Sequence, residues 1–93
     1  MIVEFDKRFL LDVKKVKDKE LSKRTKSIIL HVEQSVDVTE INTLKKLDQY
    51  AVYYRIKIKL DIKRDYRLGM IIRGTKVRFV RCLPRNRIYN KFP

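Results

Sequence analysis

The chain has 93 residues, of which 24 are Lys or Arg and 11 Asp or Glu, giving a net charge of +13. That length predicts one domain over residues 1–93, just able to bury a core without cross-links, and the lone Cys82 excludes an intrachain disulfide. No run of about 18 apolar residues could span a bilayer, and no charged and then apolar leader precedes the first strand-like stretch, so a soluble, cytoplasmic protein is expected.

Ile2 to Phe5 reads as a short buried strand, and Asp6 can cap a helix behind it. In that helix Phe9, Val13 and Val16 recur at i, i+4 and i+7 with Leu10 beside them, while Lys7, Arg8, Asp12, Lys14, Lys15 and Lys17 face outward. Asp18 offers a second cap, and Leu21, Thr25, Ile28, Ile29 and Val32 mark a longer amphipathic helix ending near Gln34 or Ser35. So short a connection predicts an antiparallel helical pair whose apolar stripes cover a sheet. Asp37 to Thr43 is a connector with capping-box spacing between Asp37 and Glu40, docked by Leu44 and Leu47.

From Val52 to Leu60 apolar and cationic residues alternate: Val52, Tyr54, Ile56, Ile58 and Leu60 share one face, and Arg55, Lys57 and Lys59 the other. Asp61 to Arg64 is the expected turn. Asp65 to Arg73 alternates again, with Tyr66, Leu68, Met70 and Ile72 apolar, so pairing as a hairpin places Arg67 and Arg73 on the lysines' exposed face. Gly74 can supply the positive φ of a tight turn, and Lys76 to Leu83 is a further strand that Pro84 ends by removing a ladder donor. Arg85 to Pro93 reads as a short basic tail carrying Tyr89 and Phe92. The order β-α-α-β-β-β predicts an α+β fold: a helical hairpin packed on one face of an antiparallel sheet, with the cationic face open.

Residues 51–93 hold 13 Lys/Arg against 2 Asp/Glu, whereas residues 1–50 hold 11 against 9, so the positive field belongs to the sheet-forming half. Such a concentration points to a polyanion, most often nucleic acid. A membrane is disfavoured as partner because the cations follow the two-residue period of strands and not the 3.6-residue period of a surface helix. No Cys/His or carboxylate cluster has metal-ligand spacing, so neither a metal nor another cofactor is expected. His31 reads as a structural residue of the second helix, and Cys82 as a small apolar strand residue. Ribonuclease chemistry without a metal requires a base for the 2′-hydroxyl, positive donors on the phosphorane oxygens and an acid for the departing 5′-oxygen. The residue types left for those roles are Arg, Lys and Tyr. By pattern alone Arg55, Lys57 and Lys59 read as a solvated sheet face, and it is the charge asymmetry that brings nucleic-acid binding level with that reading. Lys59, Lys63, Arg64, Arg73, Lys76 and Arg78 are candidates for phosphate positioning only. Tyr50, Tyr53 and Tyr54 read as core or rim packing, and solvation explains Lys45 and Lys46 as well as RNA contact does.

The residues in this order resemble the RelE/ParE superfamily of toxins from bacterial and archaeal toxin–antitoxin systems, over essentially the whole length. The opening from Ile2 to Leu10 is similar to that of many members, and Leu44-Lys45-Lys46-Leu47 followed by Tyr50 resembles their lead into the sheet, with Gln49 where glycine is common. Tyr54-Arg55-Ile56-Lys57-Ile58 and Asp65-Tyr66-Arg67-Leu68 match the family's two basic strands, the most specific feature. Val80-Arg81, Leu83, Arg85 and Ile88-Tyr89-Asn90-Lys91-Phe92 resemble its ending.

In the RelE branch, that resemblance implies a ribosome-dependent mRNA endonuclease that cleaves by 2′-hydroxyl attack, with a cognate antitoxin, mRNA and the ribosome as partners. Carried over by motif, Arg55, Lys57 and Arg67 hold the scissile phosphate, Arg85 assists the leaving group, and Tyr89 positions or deprotonates the nucleophile or stacks on a base. Pro84 stands where many members have a histidine and cannot move a proton, which leaves the acid–base assignment open. The turn at Asp61 to Arg64 is longer than usual. Two alternatives share the fold: a ParE-like toxin that poisons DNA gyrase, against which the strand cations and Tyr89 count, and a non-catalytic RNA- or ribosome-binding protein.

Overall fold

The computed structural model describes residues 1–47 and 52–93. Gln49 and Tyr50, on which part of the resemblance and one packing expectation fall, lie outside the described residues. The elements are β1 (Ile2–Phe5), α1 (Lys7–Val16), α2 (Lys19–Gln34), a 3-10 turn (Val38–Glu40), β2 (Leu44–Lys46), β3 (Tyr53–Lys59), β4 (Asp65–Arg73), β5 (Lys76–Pro84) and α3 (Arg85–Lys91). The α+β fold is as expected, with β3, β4 and β5 forming an antiparallel meander. Two elements go beyond the expected order: Leu44–Lys46 forms an edge strand, and the basic tail is a helix. The strand order is β1-β5-β4-β3-β2, and β1 runs parallel to β5, so the sheet is mixed.

Cap chemistry sets the helix starts. The Asp6 carboxylate accepts from the Arg8 backbone N–H at 2.9 Å, and that of Asp18 from the backbone N–H groups of Glu20 at 3.0 Å and Leu21 at 3.1 Å. Asp37 caps the 3-10 turn through the Thr39 N–H at 2.9 Å, and Glu40 accepts from the Val36 N–H at 2.6 Å. His31 Nε2 lies 3.0 Å from the Glu40 carbonyl and 3.2 Å from the Asn42 N–H, tying α2 to the connector in the structural role expected of it.

The main core lies between the helical pair and the sheet, where Phe9, Leu21 and Val32 meet Ile56, Ile58, Leu68, Met70, Val77, Phe79 and Cys82. Rings of Phe5, Phe9 and Phe79, with centroids 5.4–5.8 Å apart, join β1, α1 and β5. β1 is less buried than expected, with Ile2 and Phe5 exposed, because it is an edge strand with one neighbour.

β1 covers β5 only from Lys76 to Phe79, so the edge of β5 beyond that point has no strand partner. Asp12, expected on the outer face of α1, turns inward to this edge. Its carboxylate accepts from the Cys82 backbone N–H at 3.0 Å and from the Arg81 guanidinium at 2.8 and 3.0 Å.

The β4–β5 register jumps between Gly69↔Arg81 and Met70↔Phe79, leaving Val80 as an extra residue. This bulge reverses the alternation of β5. Val77 and Phe79 face the helices before it, Cys82 faces them after it, and Leu83 turns to the opposite face. There Leu83 joins Ile88 and Phe92 of the C-terminal segment, with Leu47, Tyr53 and Val80 packed around them. The face expected to be open therefore carries α3 and a small second core.

Candidate nucleic-acid interface

The cations of β3 and β4 fall into register on the α3 side of the sheet. Lys57 lies directly opposite Arg67, Arg55 sits between Lys45 of β2 and Gly69 of β4, and Lys59 faces Asp65. Arg73 pairs with Lys76 at the far end, next to Arg78 opposite Ile71. Like charges directly opposite one another weaken a sheet, so rungs such as Lys45–Arg55 and Lys57–Arg67 are costly unless an anion offsets them.

The expectation that Arg67 shares the exposed surface of the lysines does not hold, nor does it for Arg55. Arg55 is 7 % and Arg67 4 % exposed, whereas Lys57 and Lys59 are open to water. The reason is α3. It starts directly where β5 ends, folds back over β4 and β5, and seats the Phe92 ring on Gly69; an added Cβ at Gly69 would stand 2.7 Å from that ring. Arg67 donates through one terminal nitrogen to the Asp65 carboxylate and to the Tyr66 carbonyl at 3.1 Å, and its Nε has no hydrogen-bond partner among the described residues. Asp65 is held below the usual carboxylate range, first by the hydrogen bond from Arg67 and also by the charges of Arg67, Lys59 and Arg85.

Tyr89, 55 % exposed on α3, lines two clefts. One, of about 520 Å³, is bounded by Lys45, Lys46, Leu47, Arg55, Tyr89, Phe92 and Pro93. The other, of about 540 Å³, is bounded by Ile62, Lys63, Asp65, Pro84, Arg85, Asn86 and Tyr89. The structure thus brings Tyr89 together with Arg55 on one side and with Lys63 and Arg85 on the other. Pro84 occupies the N-cap position of α3 with extended backbone and no side-chain cap bond.

Of the six residues expected to position phosphate, Lys63 alone lines a cleft; Lys59 stands exposed opposite Asp65, and the other four lie apart. Arg73 and Lys76 are exposed at the opposite end of the sheet, and Arg78 reaches Asp6 at 3.5 Å. Arg64 is turned to the helical side. Its Nε donates to Asp61 at 2.7 Å, and its terminal nitrogens reach Asp18 at 3.2 Å and Glu20 at 3.1 Å, which raises its pKa above the ordinary arginine value. Burial first, and Asp12 second, push the Cys82 thiol up to about 12, in keeping with a packing role.

Ile62, Asp65 and Asn86 also line one of these clefts, and Lys45 and Lys46 the other, although the sequence alone does not mark the first three as site residues or tell the two lysines from solvated surface. Nothing in local periodicity marks them, because their place depends on α3 folding back. Among the described residues, no three His, Cys, Asp or Glu side chains gather closely enough to hold a metal ion, and no helix is long and apolar enough to cross a membrane.

No family model matches the chain. Toxin RelE3 of Methanocaldococcus jannaschii is 35 % identical over 94 residues, an alignment that covers all of both chains. The crystal structure of the RelB-RelE antitoxin–toxin complex from Methanococcus jannaschii contains a chain that superposes with a TM-score of 0.76 at 32 % identity, covering 97 % of this chain and 99 % of that one. A chain of the intact E. coli RelBE toxin–antitoxin complex superposes with a TM-score of 0.68 over 89 % and 94 %, a likeness of fold alone at 20 % identity.

Proposed function

The chain belongs to the RelE family of toxins from toxin–antitoxin systems, and from that premise we propose that it is a metal-independent endoribonuclease that cuts mRNA on the ribosome and is restrained by a cognate antitoxin. In this reading the 2′-oxygen of one nucleotide loses its proton and attacks the adjacent phosphorus. The P–O bond to the next nucleotide breaks, its 5′-oxygen takes up a proton, and a 2′,3′-cyclic phosphate remains.

The observation that carries the reading is the convergence of Tyr89 and Arg55 on one cleft beside the Lys57–Arg67 rung. Charge develops on the phosphorane oxygens in the transition state, and donors held rigid beforehand stabilise it most. Burial at the cleft wall supports that role for Arg55, whereas Arg67, buried, held by Asp65 and lining neither cleft, would contribute its charge from behind the surface. Lys57, open to water, is free to reach a phosphate oxygen. Tyr89 serves as the group that positions or deprotonates the 2′-hydroxyl, and Arg85, on the other side of it, as the group nearest the departing oxygen. Lys59 and Lys63 hold neighbouring phosphates. An acidic or amphipathic antitoxin segment would compete for the same surface by charge complementarity.

Primer extension on mRNA after induced expression tests this reading. Cuts that depend on translation are expected; a DNA-damage response without cuts would indicate the gyrase-directed alternative. Tyr89→Ala should relieve growth inhibition with the fold intact, because the side chain is largely exposed. Lys57→Ala should slow cutting by about 10²- to 10³-fold, the scale for one lost transition-state donor. Full toxicity in both variants would discard these roles.

A further inference from the structure

The turn between β3 and β4 is built unlike an ordinary surface loop. The Asp61 carboxylate accepts from the backbone N–H groups of Lys63 at 3.0 Å and Arg64 at 2.8 Å, closing an Asx-type turn. The Arg64 carbonyl accepts from the Leu60 N–H at 2.9 Å, and its guanidinium ties the turn to Asp18 and Glu20 at the start of α2. Held by these bonds, Ile62 stands 91 % exposed at the tip. Single apolar residues on a surface are ordinary. What distinguishes Ile62 is its position: with Lys63 it forms one wall of the cleft whose other wall is Pro84, Arg85, Asn86 and Tyr89.

We propose that this cleft is a nucleobase subsite, in which a base of the bound RNA packs against Ile62 from the turn and Tyr89 from α3, with Lys63 and Arg85 on its flanking phosphates and the Asn86 amide at its edge. The inference rests on the RNA reading above and adds the turn to the substrate-gripping surface. A base offers an apolar, stackable face bounded by anionic phosphates, and the cleft presents the complement: an aromatic ring, an aliphatic side chain and two cations. Its volume of about 540 Å³ falls within the roughly 300–1,000 Å³ usual for small-ligand sites. Because the turn is ordered by its own hydrogen bonds, binding need not bear the cost of ordering it.

The test is equilibrium binding of a non-cleavable 2′-O-methyl RNA oligonucleotide, and of a set carrying one abasic position each, to the full chain over a range of salt. Ile62→Ala should weaken binding about tenfold, the loss of a few buried methylene-sized groups, with the salt slope unchanged and the melting temperature unaltered. Ile62→Leu should retain affinity. The effect of Ile62→Ala should vanish when the abasic position coincides with the base held in the cleft. Lys63→Gln should instead lower the salt slope by about 0.7, the value for one phosphate on a single strand. Binding by Ile62→Ala equal to that of the parent protein would overturn the subsite, as would an equal loss at every abasic position or a loss confined to an acidic protein partner. Dependence of binding on Ile62 in a protein that cuts no mRNA would sustain the subsite and count against the nuclease reading alone.

Discussion

Gly69 shows how one residue determines the character of a whole sheet face. Its missing side chain lets the Phe92 ring rest on β4, and that seat holds α3 and hence Tyr89 over the cations. Gly69→Ala places a Cβ 2.7 Å from the ring, so Phe92 must move. The expected cost is roughly 1–3 kcal/mol, the range for overpacking a filled site. Thermal unfolding measures that loss, and cutting should fall along with it as Tyr89 leaves its clefts; an unchanged melting temperature would show that Phe92 is not a fixed part of the packing. Arg67→Ala is a less clean probe than Tyr89→Ala. Removing a buried guanidinium leaves Asp65 without its main partner, so fold and chemistry change together.

At the scale of elements, the β3–β4 turn is fastened to α2 by Arg64, and that fastening is pH-dependent. The Asp61 carboxyl is held below its ordinary value first by the side-chain hydrogen bond from Arg64; that of Asp18 is held down first by the Leu21 backbone N–H and next by Arg64. A carboxyl whose folded pKa is depressed contributes stability above its unfolded value of about 3.9, and the contribution is lost as pH falls through the folded value. The melting temperature should therefore be flat from neutral pH to about 4.5 and decline below it. Arg64→Gln should flatten that acid decline and, because the residue faces away from the clefts, leave the salt slope of RNA binding unaltered. A parallel decline in the two proteins would show that Arg64 does not hold the turn. At the β5 edge of the sheet, Asp12 of α1 supplies an acceptor to the Cys82 backbone N–H that a neighbouring strand would otherwise supply.

For the whole molecule, the excess of cations over residues 51–93 opposes compactness and favours polyanions. Affinity for single-stranded RNA should fall with salt at a log–log slope of about −0.7 for each phosphate neutralised. Lys59→Gln should reduce that slope by about one such unit, as a cation exposed beside the clefts would. A salt-independent affinity would remove the electrostatic basis of the interface. Multivalent anions such as sulfate should raise the melting temperature by relieving the repulsion along rungs such as Lys45–Arg55 and Lys57–Arg67.

The sequence by itself determined both caps of the helical pair, the apolar stripe of α2, the alternation of β3 and β4, and that Arg67 leaves β4 on the same face as Lys57 leaves β3, because each depends on spacing within one segment or across one hairpin. It also carried the family motifs, so the proposed residues were legible before their surroundings were. The tertiary structure alone decided that α3 packs on part of the cationic face, that Arg55 and Arg67 are buried there while Lys57 and Lys59 stay open to water, and that a bulge at Val80 turns Leu83 to receive the helix. It alone joined Arg64 to Asp18 and Glu20, partners 46 and 44 residues away. Periods of 2 and 3.6 residues record which way a side chain leaves its own element; what it meets there is settled by contacts between elements distant in the chain, which no local period encodes.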